Sequence, residues 1–180
     1  AAGASAIVWD VIFASPEGSD GAAGNAALAG ALQELRDAGI PNILGVDGTS
    51  LVDRSGRLSR LDNPAGAIPT FDELAGAGGL VKVDTDTDGV VRSTSIVVET
   101  DDGRFLPSLS LAAVLAHRGA QIQPVIGPEG VQAGGRLVPT GPEGKMRLNW
   151  ASGLDGAPGR RAVVSASDVY DRAVDPSRFA

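Results

Sequence analysis

Apolar positions along the chain change their spacing several times, and each change predicts an element. Residues 6–14, Ala-Ile-Val-Trp-Asp-Val-Ile-Phe-Ala, form an almost unbroken apolar run interrupted by Asp10. Such a run suits a strand buried on both faces. From about Ala22 to Ala38, Leu28, Ala31, Leu32 and Leu35 recur at helical spacing, with Gly39 as a left-handed stop and Pro41 blocking continuation. Ile43-Leu-Gly-Val46 then reads as a second strand. Strand, helix and strand in quick succession predict a right-handed βαβ crossover.

Residues 47–69 are rich in Gly, Asp, Arg and Pro with little periodicity, and read as a long surface loop. A short helix is expected at Thr70–Ala75. Leu80–Val83 and Val90–Thr100 flank the turn sequence Asp84-Thr-Asp-Thr-Asp-Gly89 and are expected to pair as antiparallel strands. Asp101-Asp102-Gly103 marks a second turn. A helix is expected from Ser108 to His117, opened by Pro107 or Ser108 and stopped by Gly119. His117 and Arg118 fall in its last turn, where the macrodipole favours positive charge. Short strands are expected near Gly130–Val138 and Lys145–Trp150. Ser165-Ala-Ser-Asp168 reads as a capping box opening a last helix through about Arg172. The fold class is α/β: a single mixed-sheet domain over residues 1–180 with a βαβ start and an antiparallel hairpin.

Composition narrows the functional classes. The net charge is −7, and Arg160-Arg161 is the only adjacent basic pair. That argues against a nucleic-acid surface, which needs clustered Lys and Arg. The chain has no cysteine, which excludes disulfides, thiolate nucleophiles and zinc–thiolate sites. No apolar run approaches the ~18 residues of a membrane span. A chain that starts Ala-Ala-Gly-Ala-Ser and runs straight into a buried-type strand reads as a segment of a longer protein.

Catalytic motifs are scarce. The single histidine, His117, sits at a helix end, and there is no Gly-x-Ser-x-Gly elbow. Gly18-Ser-Asp-Gly-Ala-Ala-Gly24 has the wrong spacing for a dinucleotide fingerprint, and Asp20 brings the wrong sign. Gly144-Lys145 is followed by Met146, so there is no Walker-A motif. Asp84-x-Asp-x-Asp-Gly89 reproduces the first half of an EF-hand loop, but Arg92 and Ser95 stand at its ninth and twelfth positions. A hairpin turn is the favoured reading there, with weak calcium binding as the alternative. Asp10 inside a buried-type strand must be paired or hydrogen-bonded. It either fixes the loop after the strand or lines a crevice at the carboxyl ends of the sheet, where open α/β sheets bind ligands. Arg92 is a partner for Asp10 or a surface charge. Trp150 reads as a core ring.

Four segments together resemble the type-two CHASE domain, an extracellular sensory module associated with bacterial cyclases and histidine kinases. They are Ala6-Ile-Val-Trp-Asp-Val-Ile-Phe13, Asp88-Gly-Val-Val-Arg92 followed by Pro107-Ser-Leu-Ser-Leu111, Met146-Arg-Leu-Asn-Trp150, and Val164-Ser-Ala-Ser-Asp-Val169. The resemblance spans nearly the whole chain in consistent order. It implies further terminal strands in the same sheet beyond this segment, and membrane anchoring through parts outside it. It also implies a place on the extracytoplasmic side of a bacterial membrane, periplasmic or extracellular, with a cyclase or kinase output domain in the cytoplasm. The expected function is non-enzymatic sensing of a small-molecule or envelope signal by a receptor that works as a homodimer. The alternatives are a structural or dimerisation module without a ligand and, more remotely, an α/β enzyme using Asp10 and Arg92. Candidate ligand-binding residues are Asp10, Arg92 and Ser108. No catalytic residue, metal ligand, cofactor or nucleic-acid partner is expected.

Overall fold

A computed structural model describes residues 4–15, 21–83, 85–120, 122–123 and 129–148, all within the unit that runs from Ala1 to Leu148. The elements in chain order are β1 (Ile7–Trp9), α1 (Ala22–Asp37), β2 (Asn42–Val46), β3 (Ser50–Arg54), β4 (Arg57–Asp62) and α2 (Pro69–Asp72). There follow β5 (Ala77–Leu80), β6 (Ser93–Ser95), β7 (Val97–Thr100), β8 (Phe105–Pro107) and α3 (Leu109–Arg118). The described part closes with β9 (Ile122–Gln123), β10 (Val131–Ala133), β11 (Arg136–Val138) and β12 (Lys145–Arg147). The expected mixed α/β class is observed. Among the described residues its strands form four small sheets, ordered β1-β2-β5, β3-β4-β7-β8, β12-β6 and β11-β10-β9.

The βαβ start is present. β1 and β2 run parallel with Val8 opposite Ile43, and β5 adds a third parallel strand with Gly45 opposite Gly79. Leu44 packs with Leu32 of α1 and Phe71 of α2. Phe13 meets the Phe71 ring edge-on at 5.5 Å. Asn42, buried at the start of β2, accepts from the Trp9 indole at 3.3 Å and so ties β1 to β2. Residues alternate between faces along a strand, so Ile43 and Gly45 point away from Leu44, and α3 packs on β5, β2 and β1. A Cβ at Gly79 would lie 2.6 Å from the Cα of Leu109, so only glycine lets the first turn of α3 come this close to β5.

Three sequence expectations are corrected. Residues 47–69 are not a loop, because β3 and β4 pair antiparallel across the Ser55-Gly56 turn, with an irregular step between Val52 and Arg54. Mixed charges and that irregularity hide the alternation, yet Leu58 and Leu61 are buried. The Leu80–Val83 and Val90–Thr100 segments do not pair with each other. β5 bonds β2, β6 bonds β12, and β7 lies between β4 and β8. The stretch 6–14 is a strand only over residues 7–9, and among the described residues β1 pairs only with β2. As an edge strand that leaves the sheet after Trp9, it exposes Val8, Val11 and Ile12.

Other expectations hold. The 101–103 turn joins β7 to β8 with Gly103 at φ +80°, and β10 and β11 form the hairpin near 130–138. α3 begins after Ser108 and ends at Gly119, whose φ of 59° is left-handed. Leu111 and Leu115 of α3 pack with Leu58, Ile96, Val97 and Val131. Each such aliphatic side chain contributes about 1.5–3 kcal/mol when fully buried. The capping box at 165–168, Trp150 and Arg160-Arg161 lie outside the described residues.

Candidate functional site

Where β1 and β5 end and α3 begins, the backbone opens a crevice of about 270 Å³. Asp10 follows β1 directly and stands on its wall. Leu80 ends β5, and Val81, Lys82 and Val83 continue the same wall. Ser108, Leu109 and Ser110 contribute the N-terminal end of α3. Thr94 and Ile96 face it from β6 and its exit, Met146 and Leu148 from β12 and beyond. The crevice thus lies outside the carboxyl ends of parallel strands, the position at which open α/β sheets hold ligands.

The structure brings two of the three sequence candidates together here. Asp10 is exposed rather than buried, so the desolvation that made its position in the run look costly does not arise. It makes no hydrogen bond or ion pair among the described residues. Ser108 is buried and caps α3: its Oγ accepts from the Leu111 N–H at 3.3 Å, while its own N–H donates to the Ile96 carbonyl at 2.7 Å. It also forms a parallel bridge with Leu80. Ser108 therefore holds the end of β5, the exit of β6 and the start of α3 in one place.

Arg92 is elsewhere. Its guanidinium donates to Asp86 at 2.7 Å and, through both terminal nitrogens, to Asp88 at 2.9 and 2.7 Å. These bonds hold the Asp88 carboxyl below its usual range and the guanidinium firmly protonated. Of the two readings of Arg92, the surface charge is the one observed, and its pairing with Asp10 is not. The acidic turn is closed by its own arginine. Gly89 at φ +79° donates to the Asp86 carbonyl at 2.8 Å, and the Asp86 N–H donates to the Val90 carbonyl at 3.0 Å. Asp84 lies outside the described residues.

Lys82 was missed by sequence reasoning. It shares the crevice wall with Asp10, but its ammonium donates to the Gly48 carbonyl at 3.1 Å and lies 3.6 Å from Asp47. Its position in the apolar run Leu80-Val-Lys-Val83 was the available signal. Thr94 and Ser110, which bring hydroxyls to the wall, carried no sequence signal beyond their places in a strand and a helix.

The model of the CHASE2 domain family matches residues 1–180. The chain belongs to the CHASE2 domain family. CHASE2 domains are extracellular sensory domains and not catalytic ones. No curated protein and no solved structure matches the chain. Three of the segments that carried the resemblance now have structural roles in this CHASE2 domain. The first is β1 and its exit, the second joins the Arg92 turn to the capped start of α3, and the third begins with Met146 of β12. The fourth, residues 164–169, lies outside the described residues. Among the described residues, no helix is long and apolar enough to cross a membrane.

Proposed function

We propose that this CHASE2 domain is the non-enzymatic input part of a bacterial transmembrane signalling receptor, and that its signal is a small molecule bound in the Asp10–Ser108 crevice. The domain stands on the extracytoplasmic side of the membrane, anchored through segments outside this chain. It works as a homodimer and regulates a cytoplasmic cyclase or kinase. The observation that carries the reading is the family match over residues 1–180. The crevice supports it, because a mobile signal needs a recess at a junction of elements. β1, β5, β6, β12 and α3 all reach this one. A ligand there signals only by favouring one of two arrangements of those elements, and Ser108 is the point at which β5, β6 and α3 are tied.

The test is made on the receptor in membranes. Ser110→Trp, on the exposed first turn of α3, fills the mouth of the crevice. It is expected to shift the basal cyclase or kinase rate and abolish its response to the signal. Output that stays unchanged both in this variant and after deletion of the domain rejects the sensory role.

A further inference from the structure

We infer that the crevice takes a small organic cation, a ligand with an ammonium-type head and a short apolar body. The inference rests on the sensory reading of the same crevice and names the class of its ligand. Of the described residues lining the crevice, two carry charge: Asp10 and Lys82. The lysine is already matched, its ammonium donating to the Gly48 carbonyl at 3.1 Å and standing 3.6 Å from Asp47. Arg92, the partner considered for Asp10, spends its guanidinium on Asp86 and Asp88 at 2.7 Å each. Asp10 has no such partner among the described residues. Exposed, and without a counter-ion among the described residues, this carboxylate is open to a positive group brought into the recess from outside.

The remaining lining fits such a head and body. An ammonium carries three donors and no acceptor. The Asp10 carboxylate supplies the charge-assisted bond, and the hydroxyls of Thr94 and Ser110 supply neutral acceptors on the facing walls. Val81, Ile96, Leu109 and Met146 offer apolar surface to the rest of the molecule. At about 270 Å³ the space falls just below the roughly 300–1,000 Å³ of drug-sized sites. That limits the occupant to a small metabolite.

The probe is n-butylammonium, titrated calorimetrically into the whole receptor in detergent beside its isosteres butyrate and n-butanol. Butylammonium is expected to bind at least tenfold more tightly than either isostere. Asp10→Asn, a same-size change at an exposed residue, is expected to remove that preference while leaving the far-UV spectrum and unfolding midpoint unchanged. Ser110→Trp is expected to abolish binding of all three. Butyrate binding as well as butylammonium, Asp10→Asn binding butylammonium with unchanged affinity, or absence of heat with every probe at about 10 mM overturns the assignment of a cation. Butylammonium binding that survives Ser110→Trp places the ion outside the crevice and overturns it too. None of these outcomes touches the sensory role, which the receptor's output in membranes tests separately.

Discussion

The acidic turn at residues 85–92 and the crevice at Asp10 and Ser108 both bring carboxylates to the surface, but they satisfy them differently. In the turn every described charge has a neighbour a few residues away. Arg92 holds Asp86 and Asp88, and the backbone of Val90 adds a bond to the Asp88 carboxylate at 3.1 Å. In the crevice the carboxylate of Asp10 has no partner among the described residues, while the walls come from five elements spread between residues 10 and 148. Arg60 with Asp62 and Arg104 with Asp102 follow the pattern of the turn, whereas Lys145 with Asp53 and Arg54 with Glu99 are paired across 92 and 45 residues. The contrast is between charge closed within a few residues, as in the turn, and the Asp10 carboxylate, which stands on a wall built by distant elements.

The largest test of that contrast is Gly79→Ala. The added Cβ meets the backbone of Leu109 at 2.6 Å, so α3 must move off β5. Overpacking of this kind costs about 1–3 kcal/mol, read as a lower urea midpoint, and the crevice widens with it. An unchanged midpoint would show that α3 does not rest on the sheet as described. A smaller effect is expected for Ser108→Ala, which removes the cap and leaves the buried Leu111 N–H without its partner. The loss is about 1 kcal/mol, with Ser108→Asp or Asn restoring part of it if the site tolerates the extra atoms. The same urea titration decides it.

The smallest effect belongs to the turn. Asp88 has its carboxyl pKa lowered by Arg92, so the folded form gains from this pair above the unfolded value of about 3.9. The gain is lost as the pH falls through the depressed folded value. Because the pair is exposed, solvent screens it. Arg92→Gln is expected to leave ligand binding in the crevice unchanged and to lower the unfolding midpoint slightly at pH 7. That difference should shrink as the pH falls from the unfolded carboxylate value through the depressed Asp88 value. A large loss of binding in this variant would contradict the separation of turn from crevice.

How much could be read in advance depended on the range of the interactions. α1 and α3 were legible because apolar spacing, Gly39, Ser108 and Gly119 act within one or two helical turns. The βαβ pairing followed from the same local signals. β3 and β4 were not legible, since their alternation is broken at Val52–Arg54 and their burial depends on β7. The partners of β5 and β6 were misassigned for a related reason: an Asp-Gly turn states that the chain reverses, but not which strands it joins. Of the candidate site, Asp10 and Ser108 were legible as an oddity in an apolar run and a helix cap. Lys82, Thr94 and Met146 became site residues only through their neighbours.

Sequence by itself determined the ends of α1 and α3, the turns at Gly89 and Gly103 and the family to which the chain belongs. All of these rest on contacts within a few residues or on motifs read in order. Tertiary structure alone decided that Asp10 is exposed and has no partner among the described residues, that Lys82 turns toward Asp47, and that Ser108 joins three elements at one crevice. The physical reason is that a carboxylate's environment is set by whatever packs beside it. For Asp10 the other walls of the recess come from residues 80 to 148, a separation that no local pattern spans.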